Sequence, residues 1–161
     1  MQALVALSAR LAHAVLLAAC ACLALLGIVV LYGVVMRYAF SDAPPYVEQV
    51  ALLLVISVAM FGAAAGVHSA GHIGLDSLTR LLPPRAQFWT GVVVDLLTLT
   101  FAAVLLWGSI RMGISTHHDT IPTLGISEAF RYLPPVIASV LIIVFSIERL
   151  LAAFRPELRA A

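Results

Sequence analysis

Four long apolar stretches, residues 11–36, 47–67, 88–112 and 136–154, constrain what this chain can fold into more than any other feature. Each is long enough to cross about 30 Å of hydrocarbon as a helix, which takes roughly 17–25 residues. Lipid offers no partners to backbone N–H and C=O groups, so a spanning segment must satisfy them internally. The stretches lack the two-residue alternation of barrel strands, which leaves helices. The chain has 161 residues, 63% of them apolar and 11% charged. Its mean hydropathy is +1.09. A soluble domain carries about 45–50% apolar and about 25% charged residues. A chain this short cannot hide the excess from water. The expected fold is an all-α membrane protein, a four-transmembrane-helix bundle forming a single integral membrane domain over residues 1–161. The formal net charge of +1 gives no electrostatic basis for binding nucleic acid.

The breaks between stretches are chemically consistent. Ser41-Asp42-Ala43-Pro44-Pro45 reads as a turn whose prolines open the second helix. Pro83-Pro84 and Pro134-Pro135 stand where the third and fourth helices begin. Proline is tolerated there because the first helical N–H groups have no intrahelical partner. Between the second and third spans, Leu75, Leu78, Leu81 and Leu82 fall on one face of a helical projection. Asp76, Ser77, Thr79 and Arg80 take the other. That pattern predicts a short amphipathic helix, either lying in the membrane interface or capping the bundle. With the N-terminus in the cytoplasm, Arg10, Arg80, Arg85, Arg149, Arg155 and Arg159 lie inside and Arg37, Arg111 and Arg131 outside. The bias favours a multi-pass protein with both termini cytoplasmic.

Catalytic and metal chemistry find little support. Cys20 and Cys22 point to different faces of a helix and read as small apolar residues. Leu17-Ala18-Ala19-Cys20 resembles a lipoprotein cleavage box, but the apolar run continues to Met36, longer than a signal segment. His68 and His72 are spaced to share a helix face, and His117-His118-Asp119 form a second small group. Neither is joined by further ligands at a metal-site spacing. His13 lies near one end of the first span, and no second span offers the central histidine that haem ligation needs. No nucleophile elbow and no phosphate loop is present. The expectation is therefore no enzyme, no cofactor and no metal.

A few polar or small residues inside the apolar runs remain. Asp95 falls about ten residues into the third span, where a carboxylate costs a few kcal/mol and must face protein or water. It stands nearly alone, which favours a packed, hydrogen-bonded acid over ion coupling. Arg37 ends the first span and Glu48 starts the second. They either offset each other across the turn, or Arg37 meets a lipid phosphate or a partner protein. Gly62-Ala63-Ala64-Ala65-Gly66 allows close helix approach within the chain or to another chain.

These residues also resemble a known family. Arg37-Tyr38-Ala39-Phe40, a proline turn, then Tyr46-Val47-Glu48-Gln49 is similar to the R-Y-x-F…P-W-x-E-E stretch of the DctQ-like small permease subunits of tripartite ATP-independent periplasmic (TRAP) transporters. Gly71-His72-Ile73-Gly74-Leu75-Asp76 resembles the family's G-H-I-x-V-D element, and Pro122, Tyr132 and Pro134 its P…Y…P pattern. Tyr46 stands where the family usually has Trp, Gln49 where it has a second acid, and His68 where a basic residue is common.

The resemblance implies an uptake system in which a large DctM-like permease subunit carries the substrate and sodium sites. A periplasmic substrate-binding protein delivers an organic acid. The small subunit enlarges the static scaffold in the inner membrane. The expected contacts with the partner or with membrane lipids are Arg37, Tyr38, Glu48, Gly62 and Gly66. His72, Asp76 and Asp95 are expected to be structural polar residues. Three rivals stay open: the small subunit of a tricarboxylate-type tripartite transporter, a four-helix redox anchor binding haem or quinone, and a small autonomous exporter.

Overall fold

A computed structural model describes residues 2–42, 44–69, 83–123 and 125–154, with side chains omitted at 2–7, 84, 85 and 154. The expected interfacial helix, with His72 and Asp76, lies outside the described residues. Four long helices account for most of the remainder: α1 (Gln2–Ala39), α2 (Pro45–Ser69), α3 (Pro84–Ser115) and α4 (Leu133–Phe154). All four contain stretches long and apolar enough to cross a membrane. Every helix overruns the apolar run that predicted it, so backbone pairing continues into the flanking polar residues.

Local chemistry sets the helix ends. Past the end of α1, Ser41 takes a left-handed φ of 53°, and the Asp42 N–H reaches back to the Met36 carbonyl at 3.2 Å. That six-to-one bond satisfies a carbonyl the helix would otherwise leave open. Pro83 is extended ahead of α3, and Pro84 follows in its first turn. Between α3 and α4 the chain forms a tied loop. Ile121 and Ile126 pair through the backbone at 2.8 Å, as do Glu128 and Asp119. A 3-10 turn, Glu128–Tyr132, then leads into α4, its start capped by the Ser127 hydroxyl, which accepts from Ala129 N–H. The turn lies between the third and fourth apolar stretches. Ser127 followed by Glu128 is the capping cue that marks it.

The helices pack in the order α1, α2, α4, α3, with α1 and α3 as the two flanks of an open bundle. The α1–α2 turn and the α3–α4 loop share one end, here the turn end. The opposite, terminal end gathers the start of α1 and the end of α4.

The interior is small and the exterior large. Ala64, Ala102 and Ala138 have no exposed surface and meet Ile142 at the centre, with Val15 and Met60 packed against them. Ser139 and Ser146 are equally buried. Leu17, Leu31, Leu97, Phe101 and Trp107 all point outward. A water-soluble fold would bury the leucines. Here lipid replaces water as the outer solvent, so burial is decided by how closely backbones can approach.

Among the described glycines the tightest approach is at Gly33. A Cβ there would lie 2.7 Å from Cγ1 of Val47, itself buried on α2. Gly33→Ala is therefore expected to destabilise the α1–α2 pair by about 1–3 kcal/mol. A lowered thermal midpoint of the solubilised chain would report it. Gly27→Ala, with nothing within 4 Å, is the matched control.

Candidate functional site

Polar ties between the helices concentrate at the two ends of the bundle. At the terminal end they join all four helices. Arg149 of α4 lies 3.2 Å from the Asp95 carboxylate of α3. It also donates to the Val67 carbonyl at 3.0 Å, in the last turn of α2, where helix carbonyls have no intrahelical donor. Next to it on α4, Glu148 accepts from the Ser8 hydroxyl of α1 at 3.0 Å. Asp95 is buried, with 7% of its surface exposed. It is not the nearly solitary acid that the sequence suggested. Its counter-ion is far away in the chain, and the α3–α4 pairing brings it alongside. His68, one turn from this cluster, stacks edge-on against the fully buried Phe145 with ring centres 4.9 Å apart.

At the turn end, two arginines tie neighbouring elements. Arg37 lies 3.3 Å from Glu48, and both side chains are more than half exposed. Tyr32 and Tyr46 share a hydrogen bond of 3.1 Å between the same two helices, and Tyr38 projects outward. Arg131, in the 3-10 turn, contacts Glu128 at 2.9 Å and donates to Gln49 Oε1 on α2 at 3.1 Å. Sequence reasoning missed this second tie. The amide oxygen of Gln49 accepts from the Arg131 guanidinium, so this tie has a neutral acceptor.

Gly62 and Gly66 lie exposed on α2, and a Cβ built on either meets nothing within 4 Å. No neighbour among the described residues requires them to be small. The in-chain packing falls instead to Ala64 and Ala65 between them, both buried.

His68, His117 and His118 make packing or loop contacts. His117 and His118 contact each other edge-on, with ring centres 4.7 Å apart. The His117 carbonyl accepts from the Ser127 hydroxyl at 2.9 Å, tying the loop. Among the described residues no three His, Cys, Asp or Glu side chains are grouped to hold a metal. The buried polar side chains are Ser8, Asp95, Ser109, Ser139 and Ser146. Ser139 spends its hydroxyl on the Pro135 carbonyl of its own helix at 2.6 Å. This arrangement ties helices together at their ends. Among the described residues it does not line a polar path between them.

Residues 26–156 match the family described as tripartite ATP-independent periplasmic transporters, DctQ component. The chain is 27% identical over 129 residues to a putative TRAP transporter small permease protein of Haemophilus influenzae, covering 78% of this chain and 80% of that one. A second protein of the same description and species is 24% identical over 106 residues, covering 66% and 64%. The sialic acid TRAP transporter permease protein SiaT of Haemophilus influenzae is 35% identical over 107 residues, which are 63% of this chain and 17% of SiaT.

Proposed function

Because the chain belongs to the DctQ component family of the TRAP transporters, we propose that it braces a large DctM-like permease as the small subunit of a sodium-coupled uptake system. The cargo of such a system is an organic acid, delivered by a periplasmic substrate-binding protein. The complex sits in the bacterial inner membrane with both termini of this chain in the cytoplasm. The bracing role rests on one observation: the single buried acid among the described residues is already neutralised by Arg149. Apolar helices tied at their ends resist displacement but offer an anion no sequence of polar sites, whereas transport cores combine several such groups with broken helices. SiaT supports the partnership, since a segment resembling this chain accounts for 17% of a permease polypeptide that is much longer.

The decisive experiment is reconstitution. This chain alone in liposomes should take up no organic acid under a sodium gradient. The same liposomes carrying the large permease and its binding protein should do so. Uptake by the chain alone would overturn the reading.

The small-residue face of α2 is the proposed seat of the large subunit. Close approach of another helix there needs Gly62 and Gly66 to stay bare. Gly62→Phe with Gly66→Phe should lower co-purification of the large permease by roughly tenfold, equivalent to about 1.4 kcal/mol. Both positions are open among the described residues, so the chain's own thermal midpoint should stay near that of the wild type. Unchanged co-purification would move the contact to another face.

A further inference from the structure

A groove of about 310 Å³ runs between α1 and α2 at the turn end. Its mouth carries Arg37, Tyr38 and Glu48, and its walls descend through Val34 and Val47 to Val30 and Ala51. From Arg37 to Val30 the drop is about 10 Å at the helical rise. The absence of a side chain at Gly33 lets Val47 sit against α1 and close the floor. The groove is thus polar at one end and apolar along its length, which is the outline of an amphiphile.

The charges at the mouth narrow the choice. They are one cation and one anion, side by side and both exposed. At 3.3 Å their contact is longer than the 2.7–2.9 Å typical of strong charge-assisted bonds. An exposed ion pair of this kind contributes little, about 0–1 kcal/mol, so a ligand that matches both charges can enter at small cost. Tyr38 lines the groove and Tyr32 bonds Tyr46 between the same two helices, and tyrosines favour the headgroup region of a bilayer.

We propose that this groove is a binding site for one zwitterionic phospholipid bearing a primary ammonium, of the phosphatidylethanolamine class. Its phosphate is held by the Arg37 guanidinium, its ammonium donates to the Glu48 carboxylate, and the upper part of an acyl chain lies along Val34 and Val30. A quaternary ammonium has no N–H for Glu48, and an anionic glycerol headgroup brings no cation while facing the carboxylate. The site discriminates against both. A protein segment could also cover this corner, and the test separates the two.

The chain, alone and with its large permease, is placed in nanodiscs of equal parts phosphatidylethanolamine, phosphatidylcholine and phosphatidylglycerol. Native mass spectrometry then identifies the lipid that stays bound. The expected result is one retained phosphatidylethanolamine. Arg37→Gln and Glu48→Gln should each weaken retention by roughly tenfold, the effect of losing one hydrogen bond to a charged group. Val34→Trp keeps both charges, fills the groove and should cause the same loss. Circular dichroism and size exclusion check that each variant is folded. Equal retention of the three lipids overturns the proposal, as does retention indifferent to Arg37→Gln and Val34→Trp. So does an Arg37→Gln variant that keeps its lipid but releases the large permease, which would make the corner a protein contact.

Discussion

Arg149→Met is expected to be the most damaging single change at the terminal end, removing about 3 kcal/mol of stability and most of the folded chain from the membrane. The substitution leaves Asp95 buried without its counter-ion, and breaking a buried pair from one side typically costs 3–5 kcal/mol. Placing a lone carboxylate at depth costs a similar amount on insertion scales. It also takes away the donor to the Val67 carbonyl. Asp95→Asn is expected to be milder. It frees Arg149, but Arg149 lies near the end of α4, where its long side chain can extend toward the headgroups. The double variant Asp95→Asn with Arg149→Met removes both charges and should recover much of the loss, because a neutral site has no charge to desolvate. Levels of folded protein in membranes, read by fluorescence size exclusion, should rank the double variant above Arg149→Met. Equal loss in both would mean the pair is not coupled.

Phe145→Ala should cost about 2–3 kcal/mol. Phe145 is the largest fully buried side chain, so its removal leaves a cavity bordered by His68. In a soluble core such a truncation costs about 3–5 kcal/mol, combining transfer from water with the cavity. Lipid is as apolar as the core, so the transfer part largely cancels and the void with its lost dispersion contacts remains. Ile147→Ala, two residues on and exposed, leaves no void and should shift the thermal midpoint far less. A midpoint shift at Ile147 matching that at Phe145 would contradict the inside-small, outside-large arrangement.

The two ends of each helix and its neighbours' faces differ in how much the sequence reveals. Helix positions are legible because lipid imposes a length and proline pairs mark the starts, as at Pro84. Packing order is not. Leu17 and Leu31 outside and Val47 inside are chemically alike, so no apolar stripe identifies the inner face when both surroundings are apolar. Small residues carry that information instead, as Ala64, Ala102 and Ala138 show. The sequence could bring Arg37 to Glu48 because a short turn joins their helices. It could not bring Arg149 to Asp95 or Arg131 to Gln49, since those ties depend on which helices lie side by side. For Gly62 and Gly66 the sequence left two uses open, and among the described residues nothing stands within 4 Å of a Cβ built on either.

A ribosome makes this chain from its N-terminus, so Asp95 reaches the bilayer before Arg149 has been synthesised. Until α4 arrives, the growing polypeptide carries an uncompensated acid at depth, and the Val67 carbonyl of α2 lacks its guanidinium donor. Completion supplies both partners in one side chain. A product that stops short of Arg149 is thereby chemically distinguishable from one that contains it.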